Sequence, residues 1–599
     1  MQSSRHILLS LSFLMASLWG QYTPRSQYIQ EPERFIGYVD SCAQFWTNTL
    51  DETHGGYYTN IDRMGNVISS WGTNKNLLTQ TRNAYGFVRA YMLTGNDEYR
   101  SYAEEALEFM YEHAWDEVNG GWYSQLSSTG NVIGATNGRS AFDAHYALLG
   151  PAAALEGFGD STDQDMLDMG SEHLESVYWD DREGFEGYYD WATYNGSAAY
   201  NKSFNATVDA ITTHLLRGYL QTGDEFYLQR MHAIADQIID HLVASMPQQA
   251  IGFVEEFDTN WNWDNGETMT IMGHVLKSAW CLARIQHIDP QDGYLEAAEA
   301  LVDDVLLNGY DHQFGGPYKD YNRSSGEMLM WGNPDTAKAW WQMQQAVMAG
   351  LVMHPLMDDD RYLEMADRSL QFFMTHFVDH TYGDVYENRT RYGDQTWGLN
   401  KGGGGKAAYH SIETGYYGYL YSSAYIKEEP FTLYYWFEPT DSPREIFLNP
   451  LHSQLMPQML AEVMLNDSAY TYYDSHARSL YIPANTGGEF RVTFTPADPV
   501  SIAQGELPQL AHLTSVYPNP FNASTQIRLD LAERQEVTIR ILDVRGRLIN
   551  TLHHGALPAG KHSFQWQTQG GETPLSTGVY LLTVESQDWT QTRKLLLLK

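Results

Sequence analysis

The segment His54-Gly-Gly-Tyr-Tyr58 is the first of six similar turns that recur along the chain. In each turn, a glycine is followed closely by an aromatic or apolar residue. The other five turns are Asn119-Gly-Gly-Trp-Tyr123, Glu183-Gly-Phe-Glu-Gly-Tyr188, Ala250-Ile-Gly-Phe253, Phe314-Gly-Gly-Pro-Tyr318 and Tyr382-Gly-Asp-Val-Tyr386. Their leading glycines stand at positions 55, 120, 184, 252, 315 and 383, which are 63 to 68 residues apart. This regular spacing indicates six repeats between residues 27 and 427.

Each repeat carries two helical patterns, in which apolar residues recur at i, i+3 and i+4. Patterns before a turn are Tyr99–Ala114, Asp165–Tyr178, Glu225–Met246 and Arg361–His376, and patterns after a turn are Leu77–Thr94, Ala141–Glu156 and Thr336–His354. Twelve helices in six hairpins predict a mainly α fold, an (α/α)6 barrel over residues 27–427. An open solenoid is the alternative, although a count of six favours closure. We expect the helices after the turns to form the inner ring.

Six polar residues that are unusual inside apolar helices stand at similar distances after the leading glycine of their repeat. We call this shared position one phase of the repeat. These residues are Arg82, His145, His214, His274, Gln342 and His410. Residues of similar phase on six inner helices meet at one mouth of a barrel. The pattern therefore predicts a polar cleft at that mouth, which is the default position for an active site.

The same segments carry motifs of a known family. They are Thr81-Arg82-Asn-Ala-Tyr85, Thr212-Thr-His214-Leu-Leu, Gly273-His274-Val-Leu-Lys-Ser-Ala-Trp280, Lys338-Ala-Trp340-Trp341-Gln-Met-Gln-Gln345-Ala and Lys406-Ala-Ala-Tyr409-His410. Together, these motifs resemble those of the N-acylglucosamine 2-epimerase superfamily, whose members include cellobiose and mannobiose 2-epimerases and mannose isomerases. The resemblance covers nearly the whole predicted barrel.

The resemblance implies sugar chemistry with two histidines. Epimerisation at C2 of a reducing sugar needs a base on one face of the carbon and an acid on the other, through a cis-enediolate. A neutral imidazole, with a pKa near 6.5, suits either role near neutral pH. By resemblance, His410 would take the C2 proton and His274 would return one from the opposite face. Arg82 would stabilise the developing enediolate oxygen.

Further substrate contacts follow from the same resemblance. His214 would hold O1 or O2 of the sugar, and Trp340 and Trp341 would supply packing and a stacking face. His145 and Gln345 complete the expected substrate-binding set. An aldose–ketose isomerase needs only one base and a proton shuttle between O1 and O2, so both reactions stay open. No metal ion and no cofactor is expected.

Two positions depart from the family pattern. Lys277 stands where the family motif has a glutamate one helical turn after His274, and Gln345 replaces a second glutamate. A carboxylate orients an imidazole and raises its basicity, whereas a nearby lysine lowers its pKa. Glu255, Glu256 and Asp258 precede this helix and could supply the missing charge.

Two other functional classes remain as alternatives. A glycoside hydrolase or polysaccharide lyase would use converging carboxylates, with Asp143, Asp209 and Glu267 as candidates. A non-catalytic glycan-binding surface protein is favoured by the two replaced glutamates.

The amino-acid composition excludes several classes of binding partner. The chain of 599 residues has a formal net charge of −38, so it would repel nucleic acid and anionic lipid surfaces. Aromatic residues make up 14% of the chain, which fits a neutral sugar ligand, although most of them should serve the core. Cys42 and Cys281 are the only cysteines, which excludes a disulfide framework and a cysteine-based zinc site.

Both ends of the chain carry sorting signals. Arg5 precedes a mostly apolar run from Ile7 to Leu18, and Gly20 follows, which predicts a secretory signal peptide over residues 1–20. This run is too short to span a membrane, and we expect no membrane span elsewhere. After the barrel, residues 428–497 alternate as strands and predict a small β-sandwich, and residues 498–512 read as a linker.

Residues 513–599 predict a C-terminal β-sandwich. The motifs Val516-Tyr-Pro-Asn-Pro-Phe-Asn522, Ile541-Leu-Asp-Val-Arg-Gly546, Gly560-Lys-His562, Ser576-Thr-Gly-Val-Tyr580 and Arg593-Lys594 resemble those of a type IX secretion sorting domain. The resemblance implies export through the periplasm to the cell surface or medium, with the type IX secretion machinery as a partner.

Overall fold

The computed structural model describes residues 22–330, 332–497, 512–517, 521–531, 534–543, 547–558, 560–568, 575–586 and 590–597. The chain divides into two compact units, with the boundary between residues 497 and 498. The predicted signal peptide, and the predicted linker apart from residue 512, lie outside the described residues. Among the described residues, no helix combines the length and apolar character needed to cross a membrane.

The first unit begins as alternating outer and inner helices. After the short helix α1 (Gln27–Gln30), the outer helices are α2 (Arg34–Thr47), α4 (Glu98–His113), α7 (Ser161–Val177), α10 (Glu225–Gln237), α12 (Tyr294–Asp304) and α14 (Asp360–Phe372). The inner helices are α3 (Leu77–Thr94), α5 with α6 (Ala141–Ala147, Leu149–Phe158), α8 with α9 (Phe204–Ala210, Leu216–Thr222), α11 (Met272–Ile288), α13 (Trp340–Met357) and α15 (Tyr409–Tyr421). Five helices carry a π-helical turn, at Ile211–Leu215, Ile238–Val243, Val305–Gly309, Phe373–Phe377 and Ser422–Ile426.

The inner helices form a closed ring. Each contacts the next one along the chain, and α15 packs back against α3. A helix that is buried on every side is mostly apolar, and α13 fits this description: most of its residues are buried, and three glutamines at its N-terminal end are the polar exceptions. Outer helices are amphipathic: α14 buries Tyr362, Met365 and Leu370 while Arg361 and Glu364 stay at the surface. The closed ring agrees with the predicted barrel.

A buried ion pair holds each of five turns to the inner helix that follows it. An aspartate four residues before the leading glycine binds a lysine or arginine that precedes that helix, by two residues in four of the pairs and by eight in the fifth. The pairs are Asp51–Lys75, Asp116–Arg139, Asp180–Lys202, Asp311–Lys338 and Asp379–Lys401. Burial alone would raise the pKa of Asp51, but the hydrogen bond from Lys75 holds it below its usual value. These pairs place the turns and the N-terminal ends of the inner helices at the same end of the barrel.

Short strand pairs build the rim at that end. They are Lys75–Asn76 with Gln125–Leu126, Arg139–Ser140 with Trp191–Ala192 and Ala199–Tyr200, Trp179–Asp180 with Gly187–Tyr188, Lys202–Ser203 with Glu256–Phe257, Met269–Ile271 with Asp320–Asn322, Leu329–Met330 with Asn333–Pro334, and Lys338–Ala339 with Asn388–Arg389. Most of them link the start of one inner helix to the turn of the next repeat.

A strand region covers the opposite end of the barrel. Its strands are β1 (Phe431–Phe437), β2 (Arg444–Phe447), β3 (Gln458–Leu465), β4 (Ser468–Ala469), β5 (Tyr473–Asp474), β6 (Ser479–Ile482) and β7 (Gly488–Pro496). They form two antiparallel sheets, in the orders β1-β7-β3-β4 and β2-β6-β5. Asn449 donates to the carbonyl of Leu220, and Arg284 donates to that of His452, so the sheets meet the C-terminal ends of the inner helices.

The second unit contains strands only, within its described residues. These strands are β8 (His512–Tyr517), β9 (Ser524–Leu531), β10 (Gln535–Asp543), β11 (Leu548–Leu557), β12 (Gly560–Gln567), β13 (Gly578–Glu585) and β14 (Thr590–Leu597). Two antiparallel sheets, β8-β9-β12 and β11-β10-β13-β14, share a core that includes Trp566, Ile527 and Leu582.

Candidate active site

The first turns of the inner helices bring the candidate residues to one mouth of the barrel. His274 is the third residue of α11, Trp340 and Trp341 begin α13, and His410 is the second residue of α15. Arg82 lies in the second turn of α3. Since the strand region covers the other end, this mouth lies on the side of the rim loops.

Trp341 joins the two candidate catalytic histidines. Its ring centroid lies 5.3 Å from that of His274 and 6.2 Å from that of His410. Close approach of α13 to α11 depends on Gly273, since a Cβ atom there would lie 2.5 Å from the Trp341 ring. The packing of α13 against α11 therefore explains why a glycine precedes His274. Trp340 completes the group, with its ring 6.1 Å from that of His410.

Glu255 holds His274 in one orientation. Its Oε2 accepts from His274 Nδ1 at 2.6 Å, and its Oε1 accepts from the backbone N–H of Ile271 at 2.7 Å. Because a carboxylate only accepts hydrogen bonds, Nδ1 carries a proton, and Nε2 is the nitrogen left to exchange a proton with a substrate. Phe204 stacks on the imidazole at 3.8 Å between centroids. Of the three acidic residues that could compensate for Lys277, Glu255 is the one that contacts His274.

A chain of amides defines the tautomer of His410. The indole N–H of Trp280 can only donate, and it binds Gln345 Oε1 at 2.6 Å. The Gln345 amide group therefore donates to Gln344 Oε1. That oxygen also accepts from His410 Nδ1 at 3.1 Å, so the lone pair of His410 is on Nε2. Both the oxygen and the nitrogen of the Gln345 amide thus bind protein groups, and the expected contact of this residue with substrate stays a prediction.

Glu413 lies behind this chain. Its Oε2 accepts from Gln344 Nε2 at 3.1 Å, and its Oε1 accepts from Tyr85 at 3.1 Å. Burial raises the pKa of Glu413. Neither Gln344 nor Glu413 was among the residues that the sequence motifs singled out, although Glu413 follows His410 by three residues and so shares its helix face.

Positive charge surrounds His410. Arg82 binds the carbonyl of Gly405 and lies 4.5 Å from the centroid of the Tyr146 ring. Burial, with the charges of Arg82, Lys277 and Lys406, lowers the pKa of His410 well below its usual value. Among the described residues, Arg82 Nε and Trp340 Nε1 are buried donors without a protein acceptor.

Lys277 forms a buried ion pair with Asp209. Its Nζ donates to Asp209 Oδ1, and both side chains are at most 4% exposed. Burial alone would lower the pKa of Lys277, but the neighbouring carboxylate raises it above the usual value. Lys277 is therefore a protonated lysine whose charge is compensated inside the barrel.

His145 and His214 lie together within the wall. Their rings stack with centroids 5.6 Å apart, and His145 Nε2 donates to the carbonyl of Ala206 at 3.1 Å. His214 Nδ1 lies 3.1 Å from the hydroxyl of Thr213, on the π-helical turn after α8. Burial lowers the pKa of His145 to about 4. Both rings are at most 1% exposed, so their described contacts are those of core histidines.

The remaining polar candidates also have protein partners. Gln342 accepts from the backbone N–H of Gly273 and donates to Asp320, which ties α13 to the start of α11. Among the carboxylates suggested for a hydrolase, Asp143 accepts from Ser140 at 3.0 Å, and Glu267 accepts from the backbone N–H of Met269. Asp209 is neutralised by Lys277, so these three do not present a pair of free carboxylates to the mouth.

Comparisons with known proteins identify the family of the chain. The family model of N-acylglucosamine 2-epimerase matches residues 56–414, which is more than half of the chain. The chain belongs to the N-acylglucosamine 2-epimerase family. The D-mannose isomerase of Marinomonas mediterranea is 21% identical over 391 residues, which cover 63% of this chain and 93% of that protein. A cellobiose 2-epimerase from Bacteroides fragilis is 21% identical over 381 residues, or 61% of this chain and 93% of that protein.

Solved structures of family members share the fold. The crystal structure of a D-mannose isomerase superposes with a TM-score of 0.58 at 20% identity, covering 66% of this chain and 99% of that chain. A cellobiose 2-epimerase from Spirochaeta thermophila gives a TM-score of 0.57 at 20% identity, covering 66% and 98%. An (α/α)6 barrel is therefore the fold of the helical part of the first unit.

The second unit also matches a family. Residues 515–598 fit the model of a secretion system C-terminal sorting domain. This domain indicates type IX secretion to the cell surface or the extracellular space.

Proposed function

We propose that this protein transfers a proton at C2 of a reducing mono- or disaccharide, as a 2-epimerase or an aldose–ketose isomerase. One observation carries the proposal: two imidazoles flank Trp341, and each has its Nδ1–H held by an acceptor, so in each ring Nε2 is the nitrogen left to exchange a proton. Membership of a sugar epimerase and isomerase family supports the same chemistry. Export to the cell exterior, which we infer passes through the periplasm, would place the reaction outside the cytoplasm.

His410 would remove the C2 proton, because its surroundings keep it neutral and ready to accept. The electron pair of the broken C–H bond moves into the C1–C2 bond and leaves negative charge on O1, as a cis-enediolate. The guanidinium of Arg82 would stabilise this oxyanion. In an epimerase, His274 would enter the reaction with a proton on Nε2 and return it to the opposite face of C2. In an isomerase, a proton would return to C1 instead, while O1 gains a proton and O2 loses one.

Proton NMR in D2O tests the proposal. The full chain is incubated with mannose, glucose, cellobiose and mannobiose, and the C2 proton signal is followed. Loss of this signal supports enediolate chemistry, and the product distinguishes an epimer from a ketose. Cleavage of a glycosidic bond without exchange would favour a hydrolase, and binding without either change would favour a glycan-binding protein.

Glu255→Gln should lower kcat for C2 exchange by about a hundredfold, because the carboxylate that orients His274 is lost. Steady-state kinetics on the best substrate measure the effect. Glu256→Gln is the matched control, since Glu256 is the next residue but is exposed to solvent. Equal losses in both variants would contradict the orienting role of Glu255.

The fall of kcat/KM at acid pH should lie below pH 6.5. A base must be unprotonated to accept the C2 proton, and the depressed pKa keeps His410 neutral at pH values where an ordinary imidazole is already charged. We expect kcat/KM to stay level as the pH falls from about 8 to 6.5 and to decline only below that. A decline centred at or above 6.5 would show that another group provides the base.

A further inference from the structure

A small cavity lies inside the barrel wall, between the candidate site and the closed end. Its free volume is about 10 Å³, which is room for one water-sized particle. Helices α9, α11, α13 and α15 and the π-helical turn before α9 surround it. The polar and aromatic residues that line it include Thr212, Arg217, Trp280, Arg284, Glu413 and Tyr417.

Two arginines of this cavity carry buried positive charges. Arg217 and Arg284 are each 3% exposed. Arg217 donates to the carbonyls of Thr212 and Thr213, at the π-helical turn before α9. Arg284 donates to the carbonyl of His452 at 2.6 Å. Within the described part of the chain, neither guanidinium forms an ion pair with a carboxylate, and a carbonyl group carries no net charge. Such unpaired charges are costly inside a protein.

Each of these arginines also has a hydrogen-bond donor without an acceptor. Among the described residues, Arg217 Nε and Arg284 Nη2 are buried and bind no protein atom. The great majority of buried donors in proteins bind an acceptor, so the cavity between the two side chains is where an acceptor from outside the chain would fit. A water molecule would accept from both donors and leave the positive charge unbalanced. An anion of atomic size would supply both the acceptor and the charge.

Glu413 is the one carboxyl group among the described residues that line the cavity. Its two oxygens already accept from Gln344 and Tyr85, both at 3.1 Å. Burial raises the pKa of Glu413, which favours a protonated and neutral form beside an anion. The cavity wall therefore has more positive than negative charge.

We propose that this cavity binds a monatomic, monovalent anion, which is chloride in ordinary salt solutions, between Arg217 and Arg284. Guanidinium N–H groups only donate, so they suit a halide ion. Sulfate, phosphate and carboxylates have several heavy atoms each and do not fit a space for one particle. The ion would join α9 to α11 and stabilise the barrel with or without sugar, so this inference does not rest on the proposed function.

The first test measures the melting temperature of the full-length protein while sodium chloride replaces sodium gluconate at constant ionic strength. A ligand that binds only the folded state stabilises it, so the melting temperature should rise by about 2 °C and level off as the site fills. Bromide should act in the same way. No change, or a change that never saturates with chloride concentration, would overturn the proposal.

A pair of variants assigns the response to the cavity. Arg217→Met should abolish the saturating rise, whatever its effect on the melting temperature in gluconate. Arg139→Met is the matched control: Arg139 is 9% exposed and pairs with Asp116 at the rim, at the other end of the barrel. This control should melt at a lower temperature and keep the full response to chloride. A response that survives in Arg217→Met would contradict the proposed site.

A crystal of the unaltered protein grown in sodium bromide provides a test that needs no variant. An anomalous bromine peak in contact with both guanidinium groups supports the proposal, and a water molecule or no density at this position rejects it. A bromine peak in a protein whose melting temperature ignores chloride would show binding at crystal concentration only, which also rejects it.

Discussion

His410→Asn should reduce the rate of C2 proton exchange by about a thousandfold, because the variant has no base at the position that accepts the proton. Asparagine keeps a polar group next to Gln344, so the loss should appear in kcat more than in KM. The exchange rate in D2O measures it. His312→Asn serves as the control: His312 is exposed and binds the carbonyl of Leu306. A variant of His410 with near-normal exchange would contradict the proposed base.

His274→Asn should separate the two possible reactions. In an epimerase with two bases, His410 can still exchange the C2 proton of one epimer, whereas formation of the other epimer falls by about a thousandfold. In an isomerase with a single base, conversion to the ketose continues. Following exchange and product in one NMR experiment therefore shows which reaction the mouth performs. Loss of exchange in both epimers would mean that His274 acts in the first proton transfer.

Breaking the Lys277–Asp209 pair should cause a large loss of stability. Both Lys277→Met and Asp209→Leu leave one buried charge without its partner, so each should lower the free energy of unfolding by about 3–5 kcal/mol. The double variant should recover most of this loss, because an apolar pair of similar volume has no charge to desolvate. Urea unfolding followed by tryptophan fluorescence gives these free energies. The comparison requires that the free energy of unfolding falls with urea concentration at the same slope in every variant.

An exposed pair provides the comparison. Glu31→Gln removes the partner of Arg34 in an ion pair whose side chains are 47% and 58% exposed, and its effect should stay below about 1 kcal/mol. If the double variant were as unstable as the single variants, the pair would not be the source of the effect. Lys277→Met should also move the acid limb of kcat/KM upward, because Lys277 helps to lower the pKa of His410.

Much of the barrel could be predicted from local pattern. Six glycine turns at regular spacing, each between two helical patterns, were enough to infer six hairpins and to place Leu77–Thr94 on the inner ring. The ion pairs behind the turns were missed, although an aspartate four residues before the glycine repeats in five of them. The matching signal is a basic residue 18 to 23 positions after each of these glycines, and only the fold shows that it binds the aspartate.

The partners of the candidate site residues depend on long-range packing. His145 and His214 share a phase with His274, yet their rings stack on each other, since phase predicts the level of a residue along the barrel and not the direction of its side chain. Glu255 could be named only as one of three possible carboxylates. Its contact with His274 depends on a strand that ends 15 residues before α11 begins.

By itself, the sequence determined the class of fold, the family, the sorting domain and the helices that carry the two histidines. These properties depend on periodicity and on motifs within single segments. Only the tertiary structure decided that Trp280, Gln345 and Gln344 orient His410, and that Asp209 compensates Lys277. These contacts join residues on different helices of the ring. A hydrogen bond between two helices depends on how the helices pack, and no local sequence pattern encodes that packing.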